Sequence, residues 1–137
     1  MSFSNPDDIS FLLNETKVWA IVGLGTDESR PAFMVAKFLK EKGKSLIAIH
    51  PRAISVLDAP AYATLHDAQK EYAIDVVDCF VNSSRVGEII DEAILLGLPS
   101  IWTQLDVTDD RAAKRAEEAG MRVVMNRCPA IEWSTYV

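Results

Sequence analysis

The sequence is poor in several things that would decide its class at once. It has two cysteines, Cys79 and Cys128, too few for a disulfide scaffold and compatible with a reducing compartment. It has no apolar run approaching the roughly 20 residues of a membrane span. The polar opening Met1-Ser2-Phe3-Ser4-Asn5 does not read as a secretory leader. It has no excess of base: 14 Lys and Arg against 20 Asp and Glu give a net charge of −6. That excludes a sequence-independent nucleic-acid coat, which needs a basic footprint, but not a small polyanion held by local charge. Two histidines and two distant cysteines offer no zinc spacing, and no Ser-His-Asp order emerges. The expectation is a cytoplasmic protein with one domain over residues 1–137, since domains run about 100–200 residues. Glycine is scarce too, at six, and the positions of those six are informative.

Two periodicities alternate along the chain. Asn5-Pro6-Asp7-Asp8 has the residues of a helix start and predicts a short helix over 5–15. Apolar runs rich in β-formers predict five strands: Lys17–Val22, Ser45–Ile49, Ile74–Val81, Ser100–Thr103 and Arg122–Met125. Between them lie helical patterns, one opened by Pro31, one by Ser83 or Ser84, one by Thr108-Asp109-Asp110, with His66–Tyr72 a short helix or turn. Residues 52–64 read as irregular and 129–137 as a tail. Strands alternating with helices predict a Rossmann-like three-layer α/β/α fold with a five-stranded parallel sheet. The near-continuous apolar strands fit burial on both faces. Gly43, Gly97 and Gly120 each end a helical run just before a strand, the left-handed position that suits glycine.

In such sheets ligands bind outside the carboxyl ends of the strands. The first strand leads into Gly23-Leu24-Gly25-Thr26-Asp27-Glu28-Ser29-Arg30-Pro31. A strand, a glycine loop and a helix start together aim backbone N–H groups and a helix dipole at an anion. Gly23, Gly25, Thr26 and Pro31 shape that loop, and Ser29 and Arg30 add a hydroxyl and a guanidinium fork. The dinucleotide fingerprint is incomplete, because Glu28 stands at its third glycine. The second strand ends in His50-Pro51-Arg52, without the acid that NAD sites place on the ribose. Arg52 suits a ribose phosphate instead, the 2′-phosphate of NADP or the 3′-phosphate of coenzyme A.

The sequence resembles the small CoA-binding proteins, which are similar to the N-terminal CoA-binding domain of the succinyl-CoA synthetase α subunit. The matching pieces are Ile21-Val22-Gly23-Leu24, Arg30-Pro31, Val35-Ala36-Lys37-Phe38-Leu39, His50-Pro51-Arg52, Asp75-Val76-Val77-Asp78, Ile101-Trp102-Thr103-Gln104 and Val123-Val124-Met125-Asn126-Arg127-Cys128. They run over roughly residues 17–128. The resemblance implies coenzyme A as the cofactor. The Gly23–Pro31 loop would hold its pyrophosphate and Pro51-Arg52 its 3′-phosphate. Phe80 to Ser84, including Ser83, and Gln104 would line the pantetheine. The chain departs from the family at Ala32 (usually Ser), Arg52 (often Lys), Asp106 (usually Gly) and Asn126 (usually Asp).

Other residues are candidates for chemistry. Arg85 would add charge near a phosphate. His50 is placed to meet adenine or phosphate, or simply to precede a proline, and His66 reads as a helix-start or surface residue. Asp75 would begin the third strand and Asp78 make local polar contacts. Cys79 reads as buried. Cys128 follows Arg127, and a cation beside a thiol favours the reactive thiolate, so exchange with the CoA thiol is one expectation and a packed cysteine the other. Gly87 sits in a helix without an evident reason, and Trp133 in the tail is a contact residue or a packed anchor. The expected function is a binding module for CoA or an acyl-CoA rather than a self-sufficient enzyme. The rivals are an NADP-linked oxidoreductase and a regulatory subunit acting with a ligase partner. No nucleic acid, membrane or metal is expected, and a protein partner or a second copy of the chain stays open.

Overall fold

In the computed structural model, which describes residues 3–137, Asn5 caps helix α1 (Pro6–Glu15). Its side-chain oxygen accepts from Asp8 N–H at 2.8 Å, and Pro6 occupies the first helical position, where the missing N–H costs nothing. Strand β1 (Val18–Val22), helix α2 (Pro31–Glu41) and strand β2 (Ser45–Ile49) follow. Then come β3 (Ala61–Tyr62), α3 (Leu65–Gln69), β4 (Val76–Cys79), α4 (Ser83–Leu95), β5 (Ser100–Thr103), α5 (Asp110–Glu118), β6 (Arg122–Val124) and α6 (Pro129–Tyr136). The strands form one parallel sheet in the order β3-β2-β1-β4-β5-β6. The order reverses between β1 and β4, the switch point where such sheets take ligands.

The strands bury both faces, which is why their sequences are apolar throughout. On one face Ala20, Val22, Ile47, Val77, Ile101 and Val123 pack with Val86, Ile90 and Ala93 of α4 and the alanines of α5. On the other, Trp19, Ile21, Leu46, Val76, Trp102 and Val124 pack with α1, α2 and α6. The rings of Trp19 and Trp102 lie 5.6 Å apart and tilted by 48°, and each indole N–H finds an acceptor, Thr16 Oγ1 at 2.9 Å and Arg127 O at 2.8 Å. Buried indoles are stabilised by such partners.

Four expectations need correction. The sheet has six strands rather than five. The sixth, β3, is two residues long and pairs Ala48 with Ala61 and Ile49 with Tyr62, too short for a periodicity to register. The C-terminal tail is helix α6, started by Pro129 and anchored by Trp133, whose ring stands edge-on to Phe38 at 5.7 Å. Helix α4 is preceded by Asn82, without a side-chain cap, so neither Ser83 nor Ser84 caps it. Ser83 Oγ instead accepts from Thr108 N–H at 2.9 Å and donates to Asp106 O at 3.1 Å, tying α4 to the loop after β5. Asp78 makes no local polar contact: it is wholly buried and both carboxyl oxygens lack a partner. Asp75, in contrast, accepts from the N–H groups of Lys17 and Val18 at 2.9 and 2.8 Å.

Gly87 finds its reason in packing. A Cβ there would lie 2.8 Å from Asp109 Oδ2, and Asp109 is the cap of α5, accepting from Ala112 N–H at 3.0 Å. The glycine lets α4 and α5 close on each other.

Candidate functional site

The loop after β1 is fixed at its root by the neighbouring strands. Gly23 N–H donates to Ile49 O at 2.8 Å, and Phe80 N–H to Val22 O at 2.8 Å. Gly23 has φ +99°, and a Cβ on it would run into the Phe80 carbonyl oxygen. Only glycine meets both demands. Further along, Asp27 Oδ1 accepts from the N–H and the hydroxyl of Ser29 at 3.0 and 2.6 Å. These bonds hold the Asp27 carboxyl below its usual range. Arg30 stands 3.8 Å from Asp27 Oδ2 with both side chains largely exposed, a loose pair that contributes little.

A cavity of about 1020 Å³ opens over the carboxyl ends of β1, β2, β4 and β5. Of the expected site residues, Gly23, Gly25, Thr26, Arg30, Pro31, Pro51, Arg52, Phe80, Arg85 and Gln104 line it. The wall between the glycine loop and Arg52 includes His50. Its Nδ1 accepts from Arg52 N–H at 3.2 Å, and its ring lies 3.4 Å from where a Cβ of Gly25 would sit. Arg52 and Arg85 are exposed, and no acidic side chain lies within ion-pair distance of either among the described residues.

Helices α1, α3 and α5 are capped by the side chains of Asn5, Thr64 and Asp109. Helices α2 and α4 start on the cavity, with Arg30, Pro31, Asn82 and Arg85 in its wall, and neither has a side-chain cap. Their first N–H groups and positive dipole ends are the natural partners of an anion.

Three expected residues lie elsewhere. The Ser29 hydroxyl is engaged by Asp27, and Ser83 ties α4 to the β5–α5 loop; neither lines the cavity. Cys128 is 7% exposed and packs in the core of the α1/α2/α6 face. The cation beside it is turned away, with Arg127 Nη1 3.0 Å from Glu132 Oε1. Cys79 is buried on the opposite face, and burial pushes its thiol well above the ordinary range. His66 is exposed, its Nδ1 3.6 Å from Asp67.

Sequence reasoning missed part of the wall. Ile89 and Glu92 line the cavity, and their spacing of four and seven residues after Arg85 puts them on one helix face, a signal that was available. Leu105 and Val107 also line it, from the loop after β5. That loop keeps a glycine-like turn at Asp106, which has φ +67° and donates its N–H to Asn126 Oδ1 at 2.7 Å. Two residues that depart from the family pattern thus hold each other in place. Among the described residues no group of three or more His, Cys, Asp or Glu could hold a metal ion, and no helix is long and apolar enough to cross a membrane.

The family described as CoA binding domain matches residues 17–134. Over 121 residues the chain is 26% identical to YneT, an uncharacterised protein of Bacillus subtilis, and the match covers 88% of each chain. A hypothetical protein from Pyrococcus horikoshii has a similar structure, with a TM-score of 0.88 and 32% identity over 96% of this chain and 92% of that one. The dinucleotide-forming acetyl-coenzyme A synthetase 1 of Ca. Korarchaeum cryptofilum shares the fold, with a TM-score of 0.68 and 23% identity over 84% of this chain and 27% of the synthetase.

Proposed function

Because the chain belongs to the CoA-binding domain family, we propose that it binds coenzyme A, free or as an acyl thioester, in the cavity at the sheet's switch point. One observation carries this reading: two helix starts without side-chain caps and three arginines converge on the same cavity. A ligand with several phosphates and a long neutral arm suits that arrangement. The pyrophosphate lies over Gly23, Gly25 and Thr26 at the start of α2, where Arg30 and Pro31 frame it. Arg52, beside Pro51, takes the 3′-phosphate as a guanidinium fork. The neutral arm runs past Phe80 and Gln104 toward the apolar Ile89 and Val107, while Arg85 at the start of α4 adds charge near a phosphate.

The role is that of a binding module. The wall's carboxylates are Asp27 and Glu92, and Asp27 is occupied by Ser29. Neither forms an acid–base pair with His50 at hydrogen-bond distance. Arg52 would serve the 2′-phosphate of NADP as well, so calorimetry against CoA, NADP and NAD tests the assignment. CoA is expected to bind tightest. Tight NADP binding without CoA binding would overturn the reading.

A further inference from the structure

Among the described residues three buried side-chain atoms lack a hydrogen-bond partner: both carboxyl oxygens of Asp78 and Oε1 of Gln104. Asp78 is fully buried and Gln104 is 9% exposed. Orphaned polar atoms inside a fold cost free energy, and an unpaired charge costs far more. With Asp78 ionised, all three atoms are acceptors and no donor serves them. A single proton on Asp78 removes the charge and supplies the donor.

The strand register brings the two groups together. Asp78 pairs with Ile21 on β1 and with Trp102 on β5. Gln104 is two residues beyond Trp102, and its N–H donates to Cys79 O at 3.2 Å, so it stays on the flank of β4. The separation is one strand spacing of about 4.8 Å across and two residues of about 3.3 Å along, within reach of a glutamine side chain. The buried side chains that α1 and α2 turn to this face are Ile9, Leu12, Leu13, Ala32, Val35, Ala36 and Leu39. The buried thiol on that side is Cys128, and the buried cation is Lys44, whose Nζ donates to Leu13 O at 2.7 Å and Thr16 O at 2.5 Å. Among the described residues no cation lies within ion-pair distance of Asp78, and burial pushes its carboxyl well above the usual range.

We propose that Asp78 is a neutral carboxylic acid whose O–H donates to Gln104 Oε1, directly or through one bound water, and thereby turns the Gln104 amide so that its N–H groups face the cavity. Asp78 is then a positioning residue. It never touches the ligand, yet it decides that Gln104 offers donors rather than an acceptor. A donor there recognises a carbonyl oxygen. On the CoA reading, on which this last step rests, that oxygen belongs to a pantetheine amide or to the thioester.

Infrared difference spectroscopy of the ligand-free chain at neutral pH tests the bond itself. The wild type is expected to show the carbonyl stretch of a protonated carboxylic acid, absent in D78N and displaced in Q104L. No such band in the wild type, or a band unchanged in Q104L, would overturn the proposal. Neither readout uses CoA, so a failure of the CoA reading is separately visible as absent binding by the wild type. Calorimetry then tests the positioning role. An asparagine at 78 can donate to Gln104 as the acid does, so D78N is expected to bind within about twofold of wild type, whereas D78V binds about tenfold more weakly, the equivalent of one lost hydrogen bond. Equal affinity of D78V and wild type would overturn that role. Loss of Q104L affinity equal for CoA and acetyl-CoA identifies the amide carbonyl, and a larger loss for acetyl-CoA the thioester; both uphold the donor, and undiminished Q104L affinity overturns it.

Discussion

Gly23 faces the carbonyl oxygen of Phe80 so closely that no side chain fits between them. The contact joins the ends of β1 and β4, the two strands at which the sheet order reverses. A methyl group at 23 would have to push backbone, not a flexible side chain, and would do so at φ +99°. Gly23→Ala is therefore expected to cost about 2–4 kcal/mol and to open the root of the loop. Gly43 is the control. It has nearly the same φ, +93°, but open space around it, so Gly43→Ala pays only the conformational strain, about 1 kcal/mol. Urea denaturation of both variants separates crowding from strain.

On the proposed reading Arg52 holds one phosphate, which gives its substitution a distinctive pattern. Arg52→Ala is expected to weaken CoA about tenfold, the scale of one charge-assisted hydrogen-bonded contact, and to leave dephospho-CoA nearly unchanged. Calorimetry with both ligands measures it. Equal losses would mean that Arg52 acts on the ligand as a whole.

The buried carboxyl of Asp78 makes stability depend on pH in a direction opposite to that of a salt-bridged acid. Its folded pKa is raised by burial, so the native chain holds a proton that the unfolded chain releases above a pH of about 4. The stability contributed is fully present below that unfolded value and is lost as pH rises toward the folded one, by up to about 1.4 kcal/mol per pH unit. Asp78→Asn removes the titration. The variant is expected to gain on the wild type as pH rises from 4 to 8, with the gap closing again toward pH 4. A gap independent of pH would place the titration elsewhere.

Cys128 is packed among apolar side chains with its cation engaged by Glu132. The native chain is expected to react with a thiol reagent far more slowly than the urea-unfolded chain, and incubation with CoA disulfide to leave its mass unchanged. Rapid formation of a mixed disulfide would restore the redox reading.

The parallel sheet and most of its helices were legible because their signals are local and repeated. Val18–Val22 and Ser45–Ile49 are unbroken apolar runs, and α1 announces itself through Asn5, Pro6 and two acids. The place of the glycine loop and of Arg52 on the cavity was legible because position in the βαβ order suffices for it. What was not legible depends on partners far away in sequence. The two residues of β3 are defined only by Ala48 and Ile49. Ser83, like Ser84, reads as a cap in sequence, and only the fold brings Thr108 to it. Asp78 reads as an ordinary polar residue until the sheet buries it, and Cys128 as either a reactive or a packed thiol until the core closes over it and Glu132 meets Arg127. Gly87 could not be assigned without Asp109 beside it.

Helices α2 and α4, like α6, start without a side-chain cap, but α2 and α4 start on the cavity. On the proposed reading, phosphates seated in the cavity would complete both and so work as a missing piece of secondary structure. Folding and occupancy would then become one equilibrium. The free-ligand concentration joins temperature and denaturant as a variable of unfolding, adding about 2.7 kcal/mol at a hundredfold excess over Kd. The amide protons of the first turns of α2 and α4 would exchange with solvent at a rate set by how full the site is, so the two helix starts would serve as a built-in gauge of ligand supply.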